Sequence, residues 1–140
     1  MILFCDTSAL LKLYIIEAGS EAVKARGAEA EAVALCRIAW AEAHAALSRR
    51  AREVPEDAPV IEQAQAALAQ DWPRFVVMEV DQALVVRAGD YADIFALRGY
   101  DSVQLAAAFE TGRIAQTPVC FACFDTRLNK AARVLGMTCL

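Results

Sequence analysis

The 140-residue chain contains only six glycines and four prolines and has no polar low-complexity tract. Both absences exclude a disordered or linker-rich protein. No basic stretch precedes Ile2-Leu3-Phe4, so no signal peptide is expected. Lys12 and Glu17 interrupt the longest apolar stretch well short of the roughly 18 residues of a membrane span. A cytoplasmic location, with no membrane contact, is therefore expected. Basic residues are outnumbered, 14 Lys plus Arg against 18 Asp plus Glu, giving a net charge of −4 and a pI near 5.0. That balance excludes a broad basic face gripping nucleic acid, though not nucleic-acid chemistry in a local pocket. Five cysteines, an odd number without secretory context, exclude a disulfide framework. Cys120 and Cys123 form the one pair at metal or redox spacing, but they lie in the apolar run Val119 to Phe124, which reads as a strand and sends the two thiols to opposite faces. No second such pair completes a zinc site. The single histidine, His44, lies two residues beyond Glu42 on a helix and therefore points away from it.

What is present is apolar sequence, 58% of the chain, enough for one domain over residues 1–140 that buries about two thirds of its unfolded surface. Ile2 to Cys5 is too short for a helix and reads as the central strand. Leu10, Leu11, Leu13, Tyr14 and Ile15 then give a helical stripe that stops near Gly19, and Ser20 restarts a short helix toward Arg26. Ala32 to Ile38 is a second apolar run, and Trp40 to Arg52 is helical. Val60 to Trp72 is helical between Pro59 and Pro73, and Phe75 to Val80 is a third strand. Helices over Asp81 to Leu97 and Asp101 to Phe109 follow, then a strand at Val119 to Phe124, a helix opened by Asp125 and a short strand at Met137 to Leu140. Strands separated by helices predict an α/β fold, with a central parallel sheet of about four to five strands flanked by α-helices.

Four carboxylates stand just beyond or near the apolar runs: Asp6, Glu42, Asp101 and Asp125. A parallel sheet gathers the C-terminal ends of its strands along one edge, so acids remote in sequence can meet in one pocket. Each acid also has a local reading. Asp6, Asp101 and Asp125 stand where helices begin, as N-caps do, and Glu42 falls in a first helical turn, where a negative charge suits the helix dipole. Asp81 follows a strand and opens a helix in the same way, yet carries no expected chemistry. Local sequence alone does not separate cap from ligand.

Four blocks in order supply the wider pattern: Phe4-Cys5-Asp6-Thr7-Ser8-Ala9-Leu10, Arg37-Ile38-Ala39-Trp40-Ala41-Glu42, Tyr100-Asp101-Ser102-Val103-Gln104-Leu105-Ala106-Ala107-Ala108, and Phe121-Ala122-Cys123-Phe124-Asp125 followed by Leu128, Ala131, Ala132 and Gly136. In order and spacing the set resembles the PIN-domain family, and within it the VapC-like toxin ribonucleases of bacterial toxin–antitoxin pairs. The resemblance implies a single PIN-like domain in which Asp6, Glu42, Asp101 and Asp125 form an acidic quartet, with Asp6 and Asp101 as direct Mg²⁺ ligands. It also implies that the strand before Asp81 lies at a sheet edge. Two positions depart from the family: Cys123 replaces the usual Thr or Ser, and Gln104 stands where His is common. A thiol is the weaker hydrogen-bond donor, so metal affinity or rate is expected to suffer at Cys123.

A quartet of hard oxygens without His or Cys favours Mg²⁺ or Mn²⁺ over zinc. Four ionised acids brought together repel one another, so at least one is expected to hold a proton at raised pKa when no metal is bound. The activity the resemblance implies is hydrolysis of RNA phosphodiester bonds, with single-stranded or looped RNA as substrate because an unstacked backbone can enter a pocket. Ser8 is the candidate contact to the scissile phosphate, and Arg37, with Arg49, Arg50 or Arg52, the candidate guide for the backbone. A small antitoxin protein and a homodimer are implied as partners. Tyr14, Ile15, Ile16 and Leu47 are the expected walls of the antitoxin groove, core burial being the other reading for each. Two rival functions are kept: a catalytically weakened PIN fold that binds RNA or protein, and a hydrolase using Asp6 as a covalent nucleophile. The second normally carries another Asp two residues later, where this chain has Ser8.

Overall fold

Five strands of two to five residues line up side by side in a computed structural model that describes residues 1–140. They are β1 (Ile2–Cys5), β2 (Ala32–Cys36), β3 (Val76–Met78), β4 (Val119–Ala122) and β5 (Thr138–Cys139). All pair in parallel, in the order β3-β2-β1-β4-β5. Seven helices connect and cover them: α1 (Thr7–Leu11), α2 (Ser20–Glu29), α3 (Ala39–Glu53), α4 (Ala58–Asp71), α5 (Gln82–Phe95), α6 (Gly99–Ala115) and α7 (Thr126–Val134). The α/β reading and the edge position of β3 are borne out.

Alternation along each strand explains why both faces are covered. Ile2 and Phe4 of β1, Ala34 and Cys36 of β2, and Val119 and Phe121 of β4 enter one core with α5, α6 and α7. Leu3, Cys5, Leu35, Cys120 and Ala122 enter the other, with α1, α2, α3 and α4. A sheet buried on both faces needs nearly continuous apolar strands, as these are. Phe4 and Phe121, opposite each other in register, stack with centroids 6.0 Å apart. Cys120 and Cys123 fall in different cores, as the strand reading requires, and all five cysteines are free.

β1 sits in the middle, with β2 and β3 built outward on one side and β4 and β5 on the other. Connections therefore diverge at the C-terminal ends of β1 and β4, which opens a crevice where ligands bind in sheets of this type. Asp6 follows β1 and Asp125 lies three residues beyond β4.

Two helices and one expected groove wall depart most from the sequence reading. α1 ends at Leu11, and the chain continues in tight turns in which Leu13 and Tyr14 N–H bond the carbonyls of Leu10 and Leu11. Beyond these turns the Ser20 hydroxyl ties the segment to the start of α2, donating to the Ile15 carbonyl at 2.9 Å and accepting from Glu17 N–H at 3.0 Å. α6 starts at Gly99 and extends to Ala115, so its N-cap is Arg98 and Asp101 is not a cap but a residue of the first turn. The α3 residue Leu47, expected as a groove wall, is fully buried in the core. Packing of α3 against α1 and α4 takes that face away from any partner. Tyr14 is half-buried and bonded to Asp71, Ile15 is half-buried, and Ile16 is 90% exposed. No helix is long and apolar enough to cross a membrane.

Candidate active site

At the crevice, a pocket of about 310 Å³ is lined wholly by polar residues: Asp6, Thr7, Ser8, Glu42, Arg98, Asp101, Gln104 and Asp125. The structure thus brings the four acids of the sequence reading to one place. Each arrives differently. Asp6 ends β1 and caps α1, with Oδ1 accepting from Ala9 N–H at 2.8 Å and from the Ser8 hydroxyl at 2.7 Å. Asp125 caps α7, with Oδ1 accepting from Leu128 N–H at 2.8 Å. Cap and pocket residue are therefore one and the same here, because capping engages one carboxylate oxygen and leaves the other.

Glu42 comes from the first turn of α3. The Thr7 hydroxyl donates to its Oε1 at 2.8 Å and Gln104 Nε2 donates to the same atom at 2.9 Å. Gln104 Nε2 also lies 3.2 Å from the Thr7 hydroxyl, which makes a closed three-residue cluster from α1, α3 and α6. Asp101 has no hydrogen-bonding partner among its neighbours and faces Asp125 and Arg98. Asp81 caps α5 through Leu84 N–H at 2.9 Å and lies away from this pocket, against Arg87 and Glu110.

Electrostatics separates the acids. Asp6 is 8% exposed, and burial pushes its pKa up against the hydrogen bonds from Ala9, Ser8 and Cys123, with the Asp101 charge adding to the rise. Asp101 is also raised, first by desolvation and then by Asp125, while Arg98 pulls it back. Both shifts run in the direction expected of gathered acids, with burial rather than repulsion as the larger cause. Cys123 is buried, and burial followed by the Asp6 charge raises its pKa, so it is a neutral thiol. Its sulfur accepts from Asp125 N–H at 3.3 Å, and so steadies the backbone of the last acid while the cap orients the carboxylate.

No three His, Cys, Asp or Glu side chains form a ready-made cage for an ion. The donor set is nevertheless one that suits Mg²⁺, which takes one or two carboxylates and keeps several waters. Asp6 and Asp125 each offer an oxygen not used in capping, and Asp101 offers two. His44 is outside the lining; its ring packs tilted against Trp40, with centroids 4.7 Å apart, and its Nε2 is buried without a partner.

The arginines differ from the sequence reading. Arg37 is exposed and forms an ion pair with Glu79, Arg49 pairs with Glu53, and Arg50 with Glu17. None of them lines the pocket. Two that the sequence reading did not single out do border the acids: Arg98 lines the pocket itself, and Arg127 joins Arg98, Asp101 and Asp125 around an adjoining cavity of about 250 Å³. The available signal was position, since Arg98 stands three residues before Asp101 and Arg127 two after Asp125.

A family model described as the PIN domain matches residues 3–134. The ribonuclease VapC45 of Mycobacterium tuberculosis is 31% identical over 139 residues, covering 96% of this chain and 92% of that protein. Among solved structures, VapBC2 from Rickettsia felis bound to a DNA fragment from their promoter superposes with a TM-score of 0.67 at 13% identity, over 100% of this chain and 98% of that one. A toxin–antitoxin complex from Klebsiella pneumoniae gives 0.57 at 18% identity, over 86% and 84%. The two structural likenesses are likenesses of fold.

Proposed function

The chain belongs to the PIN-domain family, and from that premise we propose that it is a VapC-like toxin, a metal-dependent endoribonuclease restrained by a small antitoxin protein. The observation that carries the reading is the meeting of Asp6, Glu42, Asp101 and Asp125 in one polar pocket at the divergence of β1 and β4. Asp6 and Asp101, with Asp125, would hold Mg²⁺ or Mn²⁺. The ion, when bound, supplies charge stabilisation for the phosphodiester and lowers the pKa of water so that it attacks near neutral pH.

The rest falls to the chain's own side chains. Glu42, fixed by Thr7 and Gln104 through Oε1, keeps Oε2 for orienting water and receiving its proton. Ser8 is exposed at the rim and, once released from Asp6, can donate to a phosphate oxygen. Arg98 and Arg127 offset the negative charge of the approaching backbone, a role we assign to them in place of Arg37. The single-stranded form suits the site because an unpaired strand can bend into a narrow acidic pocket. VapC45, a named ribonuclease, supports the reaction class, and the Klebsiella complex, a toxin with its antitoxin, supports the inhibitory partner. The homodimer is carried forward on family resemblance.

The weakened-module reading rests on Cys123 and the acidic pI; the nuclease reading is favoured over it by the Asp125 carboxylate, which accepts from Leu128 N–H whatever stands at position 123. One experiment tests the proposal: cleavage of a labelled single-stranded RNA with Mn²⁺, wild type against Asp101→Ala. Cleavage abolished by the substitution and by chelation is expected. Equal activity in the two proteins, or none in either, rejects the reading.

A further inference from the structure

An open groove of about 530 Å³ adjoins the acidic pocket and shares Arg98 and Asp101 with it. Its remaining lining is Gly99, Tyr100 and Val103, all at the start of α6. The volume lies within the range of roughly 300–1,000 Å³ typical of small-ligand clefts. Tyr100 is 61% exposed, although its ring is a large apolar surface that folding normally covers.

Phe124 is the informative control. It precedes Asp125 as Tyr100 precedes Asp101 and is 46% exposed. Its ring, however, carries Lys12 Nζ at 4.5 Å from the centroid and lies so close to Gly19 that a Cβ there would meet Cε1 at 2.6 Å. Tyr100 has no ring and no cation against it. Of the two aromatics beside the acids, one has an intramolecular partner and the other presents a bare face.

Resting on the ribonuclease reading, we propose that the Tyr100 ring is the stacking platform for an unpaired base of the RNA substrate, next to the nucleotide whose phosphate enters the acidic pocket. Continuity between groove and pocket supports this occupant, as does the placement of Arg98, which belongs to both and has no carboxylate ion pair of its own. A cation lining both the groove of the ring and the acidic pocket supplies what single-stranded nucleic acid requires, an aromatic face for a base and positive charge for the backbone. The groove is open at Gly99 as well, where a Cβ would meet nothing within 4 Å. Tyr100 is thus a substrate-binding residue that selects unstacked RNA.

The test uses a single-stranded oligoribonucleotide carrying 2-aminopurine, read by anisotropy in EDTA for binding and by cleavage with Mn²⁺ for KM and kcat. Tyr100→Ala is expected to weaken binding about 5- to 150-fold, the size of one base–aromatic stack, with the loss read chiefly in KM. Tyr100→Trp and Tyr100→Phe should restore it, and 2-aminopurine quenching should follow the same order. A Tyr100→Ala protein that melts like wild type and binds the probe as tightly overturns the platform, leaves the nuclease reading intact and assigns the groove to a protein partner. Wild type that neither binds nor cuts the probe overturns both.

Discussion

Gln104 Nε2 on α6 donates to Glu42 Oε1 on α3 at 2.9 Å, joining two elements 62 residues apart at the atom that Thr7 also engages. Gln104 is 3% exposed and its own Oε1 is buried without a partner, a cost of about 1–3 kcal/mol. The amide is therefore kept for what Nε2 does, which is to fix the Glu42 carboxylate. Gln104→Leu should lower kcat about 10- to 100-fold, as loss of an outer-shell hydrogen bond does. Gln104→His, the residue common in the family, should recover most of it. Steady-state kinetics with Mn²⁺ on correctly folded variants decides this. Unchanged kcat in Gln104→Leu would show that Glu42 needs no such support.

Metal binding should depend unequally on the acids. Asp6→Asn keeps the cap on α1, because Asn serves as an N-cap nearly as well as Asp, but removes a buried negative ligand. Isothermal titration with Mn²⁺ should therefore show little heat for Asp6→Asn or Asp101→Asn and a normal signal for Asp81→Asn, whose carboxylate lies outside the pocket. Full-strength binding in Asp6→Asn would contradict the ligand assignment.

The raised pKa of Asp6 makes a prediction about pH. A carboxyl that holds its proton more tightly folded than unfolded stabilises the native state as pH falls, from above the raised value down to the ordinary range near about 4. Without metal, the chain should thus gain stability on mild acidification through this group, and lose it again on return to neutrality. Urea midpoints in EDTA between about pH 4 and pH 7 should show this gain in wild type and a flatter profile in Asp6→Asn. Added Mn²⁺ should reverse the slope, since it binds the deprotonated site.

The degree to which the sequence disclosed this molecule follows from how local each signal is. Strand positions were legible because apolar runs such as Ile2 to Cys5 and Val119 to Phe124 end at an acid, although the second strand stops at Ala122, two residues before its run does. The acids were legible because those boundaries are where a parallel sheet converges. What failed needed distant partners. α1 gives way at Lys12 to turns whose later residues are tied to Ser20, through Ile15 and Glu17, and Leu47 is buried because α4 packs on α3. Arg98 and Arg127 look like ordinary solvated arginines until Asp101 and Asp125 are seen side by side, while Arg37 loses its expected role to Glu79, 42 residues away.

Those arginines give the last prediction. Each phosphate neutralised releases counterions, so the slope of log affinity against log salt changes by about 0.7 per contact for single-stranded nucleic acid. Arg98→Ala and Arg127→Ala should each flatten the slope for single-stranded RNA by about that amount, and the double variant by about twice as much. Arg37→Ala should leave it unchanged, because its guanidinium is taken up by Glu79 and it lies outside the acidic pocket. Stability should hardly respond to any of the three, since all are exposed and the one carboxylate ion pair among them, Arg37 with Glu79, lies in water, where such pairs contribute little. Phe121→Ala, removing a fully buried ring stacked on Phe4, should cost about 3–5 kcal/mol and serves as the contrast. If Arg37→Ala flattened the salt slope and Arg98→Ala did not, the strand would have to run along β2 and β3 rather than across the start of α6.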